Sequence, residues 1–110
     1  MATAAVAALT VSVPAYAGDI IQEVPCGNNP LNSGKLYIVA DNGKFCFEGK
    51  GSRVLNVRGV KEVHTGNLSI QFYYLHKDGR QGFYAIPKGQ HHTSIRDWDW
   101  LYFITDEWRP

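Results

Sequence analysis

Charge of one sign is what this 110-residue chain lacks most plainly. Eleven Lys and Arg stand against ten Asp and Glu, a net charge of +1 at pH 7. That balance supplies no field to gather nucleic acid or an anionic membrane, so neither is expected as a partner. Cysteine is scarce as well. Only Cys26 and Cys46 occur, without Cys-x-x-Cys spacing, so neither a zinc site nor thioredoxin-like chemistry is indicated. Long hydrophobic runs are missing too. The apolar stretch "MATAAVAALTVSVPAYA" (1–17) is too short and too Ala-rich to span a bilayer as a permanent anchor.

That stretch ends in Ala15-Tyr16-Ala17, the small-x-small pattern that signal peptidase cleaves. No Lys or Arg precedes it, although a signal peptide's first region normally carries positive charge. Residues 1–17 are therefore expected to be a truncated signal peptide, with Gly18 starting a mature extracellular protein. An even number of cysteines in an exported chain then predicts one disulfide, Cys26 to Cys46. Closing a segment of that size stabilises a fold by roughly 3 kcal/mol in the chain-entropy model.

Helical periodicity is absent: no window of twelve residues keeps a 3.6-residue apolar period. What is present is alternation in short runs. After an irregular N-terminal segment, 18–34, "KLYIVA" (35–40) and "KFCFEG" (44–49) flank Asp41-Asn42-Gly43, a hairpin signal because Asn and Gly tolerate positive φ. "SRVLNVRGV" (52–60) and "KEVHTG" (61–66) read as two further strands. "LSIQFYYLH" (68–76) turns at Asp78-Gly79 into "RQGFYAI" (80–86), and "DWDWLYFITDEW" (97–108) reads as a last long strand. One helical turn is expected near Thr93–Arg96. Six or seven strands in one domain, 18–110, predict an all-β fold, a small sandwich or barrel.

Several of these stretches together resemble a known family. "VPCG" (24–27) follows the export signal, and "CFEGKG" (46–51) holds the second cysteine and then aromatic-x-Gly. "VRGVKEVHTGN" (57–67) leads into the aromatic strand "LSIQFYY". The order is similar to that of the small secreted βγ-crystallin-like proteins of actinomycetes, the group of the Streptomyces killer toxin-like and antifungal proteins. The resemblance covers roughly residues 20–86 and weakens from Gly89 onward. It implies a Greek-key β-sandwich, an extracellular location, no enzyme activity and, in some members, action against fungi. The crystallin motif would fall on Phe47 and Gly49, with Tyr37 as an aromatic partner from the preceding strand. The family's calcium signature has no counterpart here; Gly66-Asn67-Leu68-Ser69 is the nearest stretch and lacks its ligands. No metal or cofactor is expected.

Catalytic chemistry finds little purchase. No Gly-x-Ser-x-Gly occurs, and a disulfide would consume both thiols. His91 and His92 are adjacent, so on a strand they point to opposite faces and cannot easily share one metal; Asp97 and Asp99 do share a face, but a zinc site needs three ligands at compatible spacing. The enzymatic rival is a small ribonuclease with Glu62 as base, His91 or His92 as acid and Arg80 as phosphate clamp. Alternation over the last strand groups Trp98, Trp100, Tyr102 and Ile104 on one face, which predicts that both tryptophans pack in the core. Ligand-binding candidates are Tyr73, Tyr84, Gln71 and Trp108, flat rings beside polar groups such as a polysaccharide requires. Tyr84 is expected across the hairpin from Tyr73. The combined expectation is a monomeric, non-enzymatic antifungal protein that binds a cell-wall polysaccharide. The alternative is an extracellular structural or inhibitory module working through protein contacts.

Overall fold

Asp41 and Asn42 reverse the chain between strands β2 (Leu36–Ala40) and β3 (Gly43–Glu48), as the Asn-Gly signal predicts. Their register runs from Ala40 opposite Gly43 to Leu36 opposite Phe47. The computed structural model of the protein describes residues 20–106; the expected signal peptide, Gly18 and Trp108 lie outside the described residues. A short strand β1 (Gln22–Val24) joins the far edge of β3. The disulfide between Cys26 and Cys46 then ties the segment after β1 to β3, with its Cα atoms 5.1 Å apart. The predicted pairing is thus present.

The remaining strands are β4 (Ser52–Arg58), β5 (Val60–His64), β6 (Ile70–Leu75), β7 (Gln81–Ile86), β8 (His91–His92) and β9 (Trp100–Thr105). They form two antiparallel sheets, ordered β1-β3-β2-β5-β8 and β4-β9-β6-β7. All-β architecture is therefore as expected, and the two sheets make a sandwich. Its two halves interleave. After the β2–β3 hairpin the chain crosses to the other sheet as β4 and returns as β5 beside β2. After the β6–β7 hairpin it crosses as β8 and returns as β9 beside β6.

The inward faces meet in one apolar core that includes Leu36, Ile38, Phe47, Val63, Phe72 and Ile104. β6 alternates as read from the sequence, with Ile70, Phe72 and Tyr74 inward. At Gly66 the turn after β5 needs glycine twice over. Its φ is +60°, and a Cβ there would sit 2.5 Å from the carbonyl oxygens of Gly34 and Lys35.

Three expectations need correction. The helical turn forms at Pro30–Asn32, as a 3-10 turn with proline at its start, and Thr93–Arg96 is irregular. Trp98 joins the core, stacked on Tyr74 at 4.3 Å, but Trp100 does not. In β9, Phe103 faces Tyr73 of β6 while Leu101 faces Tyr74, so Tyr102 is an extra residue. That bulge resets the alternation: Leu101 and Ile104 point inward, and Trp100 and Tyr102 turn to the outer face. Finally, Tyr37 does not partner Phe47. Tyr37 faces Cys46 on the outside of its sheet, while Phe47 faces Leu36 and is fully buried in the core. Gly49 has the positive φ the motif requires, +96°.

Candidate binding site

The outer face of the β4-β9-β6-β7 sheet carries an unusual set of side chains. Register places Val54, Phe103, Tyr73 and Phe83 in one line across all four strands. Phe103, between its neighbours, is 3% exposed, whereas Val54 and Phe83 at the ends are 67% and 60% exposed. Tyr73 meets the Phe83 ring nearly parallel at 5.9 Å and takes the Phe103 ring edge-on at 5.5 Å. Exposed rings of this size are not the normal outside of a sheet, where polar residues prevail.

Beside this line lies an open cleft of about 210 Å³, bounded by Tyr73, Gln81, Gly82, Phe83 and Tyr102. Polar atoms enter it at two points. The Gln81 amide nitrogen donates to the Tyr102 hydroxyl at 3.4 Å. Burial pushes the Tyr102 phenol up from its ordinary pKa; the Gln81 hydrogen bond opposes that shift, and nearby Tyr73 adds to it. The hydroxyl therefore stays neutral and able to donate at physiological pH. Apolar walls with a few fixed polar groups are what small-molecule and sugar subsites share.

The aromatic surface continues past the cleft. Trp100 lies against Tyr102 at 5.5 Å, and the Arg58 guanidinium sits over the Trp100 ring at 4.5 Å. Arg58 is exposed, and its Nε–H donates to the Asn56 side-chain oxygen at 3.0 Å. The Trp100 Nε1–H is enclosed and meets no acceptor among the described residues.

Among the sequence-derived candidates, Tyr73 and Gln71 share the outer face of β6, with Gln71 largely buried opposite Thr105. Tyr84 is not across from Tyr73. Its register partner is Phe72, so it lies on the other face, at the sandwich edge, edge-on to His92 at 5.4 Å and to Trp98 at 6.3 Å. Phe83 occupies the place expected of Tyr84. Alternation in "RQGFYAI" already groups Phe83 with Gln81, so that signal was readable. Trp100, Tyr102 and Arg58 were hidden by the bulge.

The histidines form a separate cluster on the other sheet. Tyr37, His64 and His91 are register neighbours on β2, β5 and β8, with successive rings 5.7 Å apart. Glu62 Oε1 lies 3.0 Å from His64 Nε2. Glu62 and His91 thus both approach His64, whereas Arg80 is held by Asp78 on the β6–β7 hairpin at 2.8 Å. The proposed ribonuclease triad is not assembled by these contacts. Among the described residues no three His, Cys, Asp or Glu side chains gather as a metal site, and no helix is long and apolar enough to cross a membrane.

Compared with known proteins, the chain matches no family model, no curated protein and no solved structure.

Proposed function

We propose that this is a secreted, non-enzymatic protein that binds a cell-wall polysaccharide and acts against fungi or other competitors. The observation that carries the reading is the line Val54–Phe103–Tyr73–Phe83 with its adjoining polar cleft. Aromatic faces stack against the C–H faces of pyranose rings, while Gln81 and Tyr102 offer hydrogen bonds to sugar hydroxyls. The exposed ends of the line suit an extended chain rather than an enclosed small molecule.

Two further features support the setting. A disulfide belongs to an oxidising compartment, in keeping with the export signal read at residues 1–17. The exchange of β4 and β8 between sheets is the connectivity expected of two interlocked Greek keys, and it favours the βγ-crystallin-like resemblance. The absence of enzyme activity is part of the same proposal, supported by the pairing of Arg80 with Asp78 while Glu62 meets His64.

The test is a pull-down of the mature protein on chitin, cellulose, β-glucan and peptidoglycan, with casein-coated beads as control and yeast growth followed in parallel. Selective retention on one polysaccharide, lost in Phe83→Ala, supports the proposal. Retention on none, with yeast growing normally, contradicts it and directs attention to a protein partner.

A further inference from the structure

We propose that this face prefers acidic glycans, with Arg58 as the subsite for an anionic substituent on the sugar chain. The inference rests on the polysaccharide reading and specifies the class of sugar.

Strands β4, β6, β7 and β9 contain no Asp or Glu, and their charged residues are Arg53 and Arg58. These two arginines have different situations. Arg53 is opposite Ile104, on the inward side, with Glu23 3.8 Å from its guanidinium and the Ile21 carbonyl accepting from it at 3.3 Å. Arg58 is opposite Trp100, on the outer face, and among the described residues no carboxylate pairs with it. Within the strands, the outer face therefore carries one charge, and that charge is positive; Arg80 in the flanking β6–β7 turn is already paired with Asp78.

The guanidinium is also preorganised. Its central carbon lies over the Trp100 ring, 4.5 Å from the centroid, and the Nε–H bond to Asn56 at 3.0 Å restrains the side chain further. The two terminal nitrogens are then left as a fork, the geometry that meets a carboxylate or phosphate with two parallel hydrogen bonds. A guanidinium held this way loses less conformational entropy on binding than a free one. Trp100 and Tyr102 connect this fork to the cleft without a break. A pyranose stacked at Tyr73 and Phe83 and an acidic group carried by a neighbouring sugar would be engaged on one continuous surface.

The experiment uses matched pairs of polymers differing in charge alone. Polygalacturonate against its methyl ester tests a carboxylate, and phosphomannan against unphosphorylated mannan tests a phosphate. The expected result is retention on at least one acidic member about tenfold tighter than on its neutral partner, weakening as salt is raised. Arg58→Gln, with folding checked by thermal melting, should bring the ratio of acidic to neutral retention down to about one. Arg58→Lys, which keeps charge but not the fork, should fall between. Equal retention on both members of each pair, unaffected by Arg58→Gln, overturns the acidic preference and leaves the polysaccharide reading standing. No retention on any polymer, neutral or acidic, overturns both. Loss of all binding in Phe83→Ala with Arg58 intact identifies the stacking platform separately from the charge.

Discussion

Tyr73 and Phe83 are register partners on neighbouring strands, and their rings lie 5.9 Å apart with 24° between their planes on the outer face of the sheet. The pair is half held and half offered: Tyr73 is partly covered by Phe103, while Phe83 is 60% exposed. A platform of this kind can be altered at one ring without dismantling the fold, and that separates binding from stability.

Phe83→Ala should accordingly weaken polysaccharide retention about tenfold or more while changing stability by less than about 1 kcal/mol, as for most exposed substitutions. Parallel binding isotherms and urea melts check both halves. A large loss of stability would mean that the ring is structural.

The two tryptophans should behave differently despite lying two positions apart. Trp98 belongs to the core between Phe72 and Tyr74, so Trp98→Ala should cost about 3–5 kcal/mol. Trp100 is partly exposed beneath Arg58, so Trp100→Phe should leave the fold largely intact and impair the binding face. Denaturant midpoints of the two variants distinguish them.

The same contrast shows what could be read in advance. Hairpin signals and strict alternation gave β2, β3, β6 and β7 close to their observed bounds, because each is a regular strand whose period of two survives intact. β9 defeated the reading. Its sequence "WLYFIT" is a continuous apolar and aromatic run with no internal polar position to mark a phase, and nothing in it announces that Tyr102 will be left over when β9 pairs with β6. A bulge is a property of two strands together. Every assignment that depended on the phase of β9 was therefore shifted, and the site lost Trp100 and Tyr102. β8, two residues long, is likewise defined by its partner β5 rather than by its own pattern. The expectation of Tyr84 across from Tyr73 fails for a different reason: alternation from Gln81 puts Phe83, not Tyr84, in phase with the outer face.

Reduction of Cys26–Cys46 should lower stability by about 3 kcal/mol, since the bridge removes loop-closure entropy from the unfolded chain across a separation of 20 residues. Urea unfolding with and without reductant measures the difference. Equal midpoints would show that the bridge contributes nothing to stability.

Gly66→Ala should destabilise by at least about 1–3 kcal/mol, the order of cost of a non-glycine residue at a left-handed φ, with the contacts to Gly34 and Lys35 adding to it. Gly27→Ala is the control: it has φ +74° but nothing within 4 Å of an added Cβ. A loss at position 66 that exceeds the loss at 27 isolates the steric part in thermal melts.

Alkaline pH should weaken the fold through Tyr74 and Tyr102. Burial raises both phenols, against an opposing hydrogen bond from Trp98 in the first and Gln81 in the second. The folded chain then keeps protons that the unfolded chain releases near pH 10. Their contribution is complete below that pH and is lost as pH rises through the folded values. Absorbance titration of the phenolates should show two tyrosines ionising late. Stability that is flat above pH 10 would contradict this.

The most direct test of the account is to titrate isotope-labelled protein with soluble fragments of whichever polysaccharide retains it, and to follow backbone and side-chain resonances. The account predicts that shifts concentrate on Tyr73, Gln81, Phe83, Trp100 and Tyr102, on the outer face of the β4-β9-β6-β7 sheet. Shifts confined instead to Tyr37, His64 and His91 on the opposite sheet, or no shifts at saturating fragment, would contradict it.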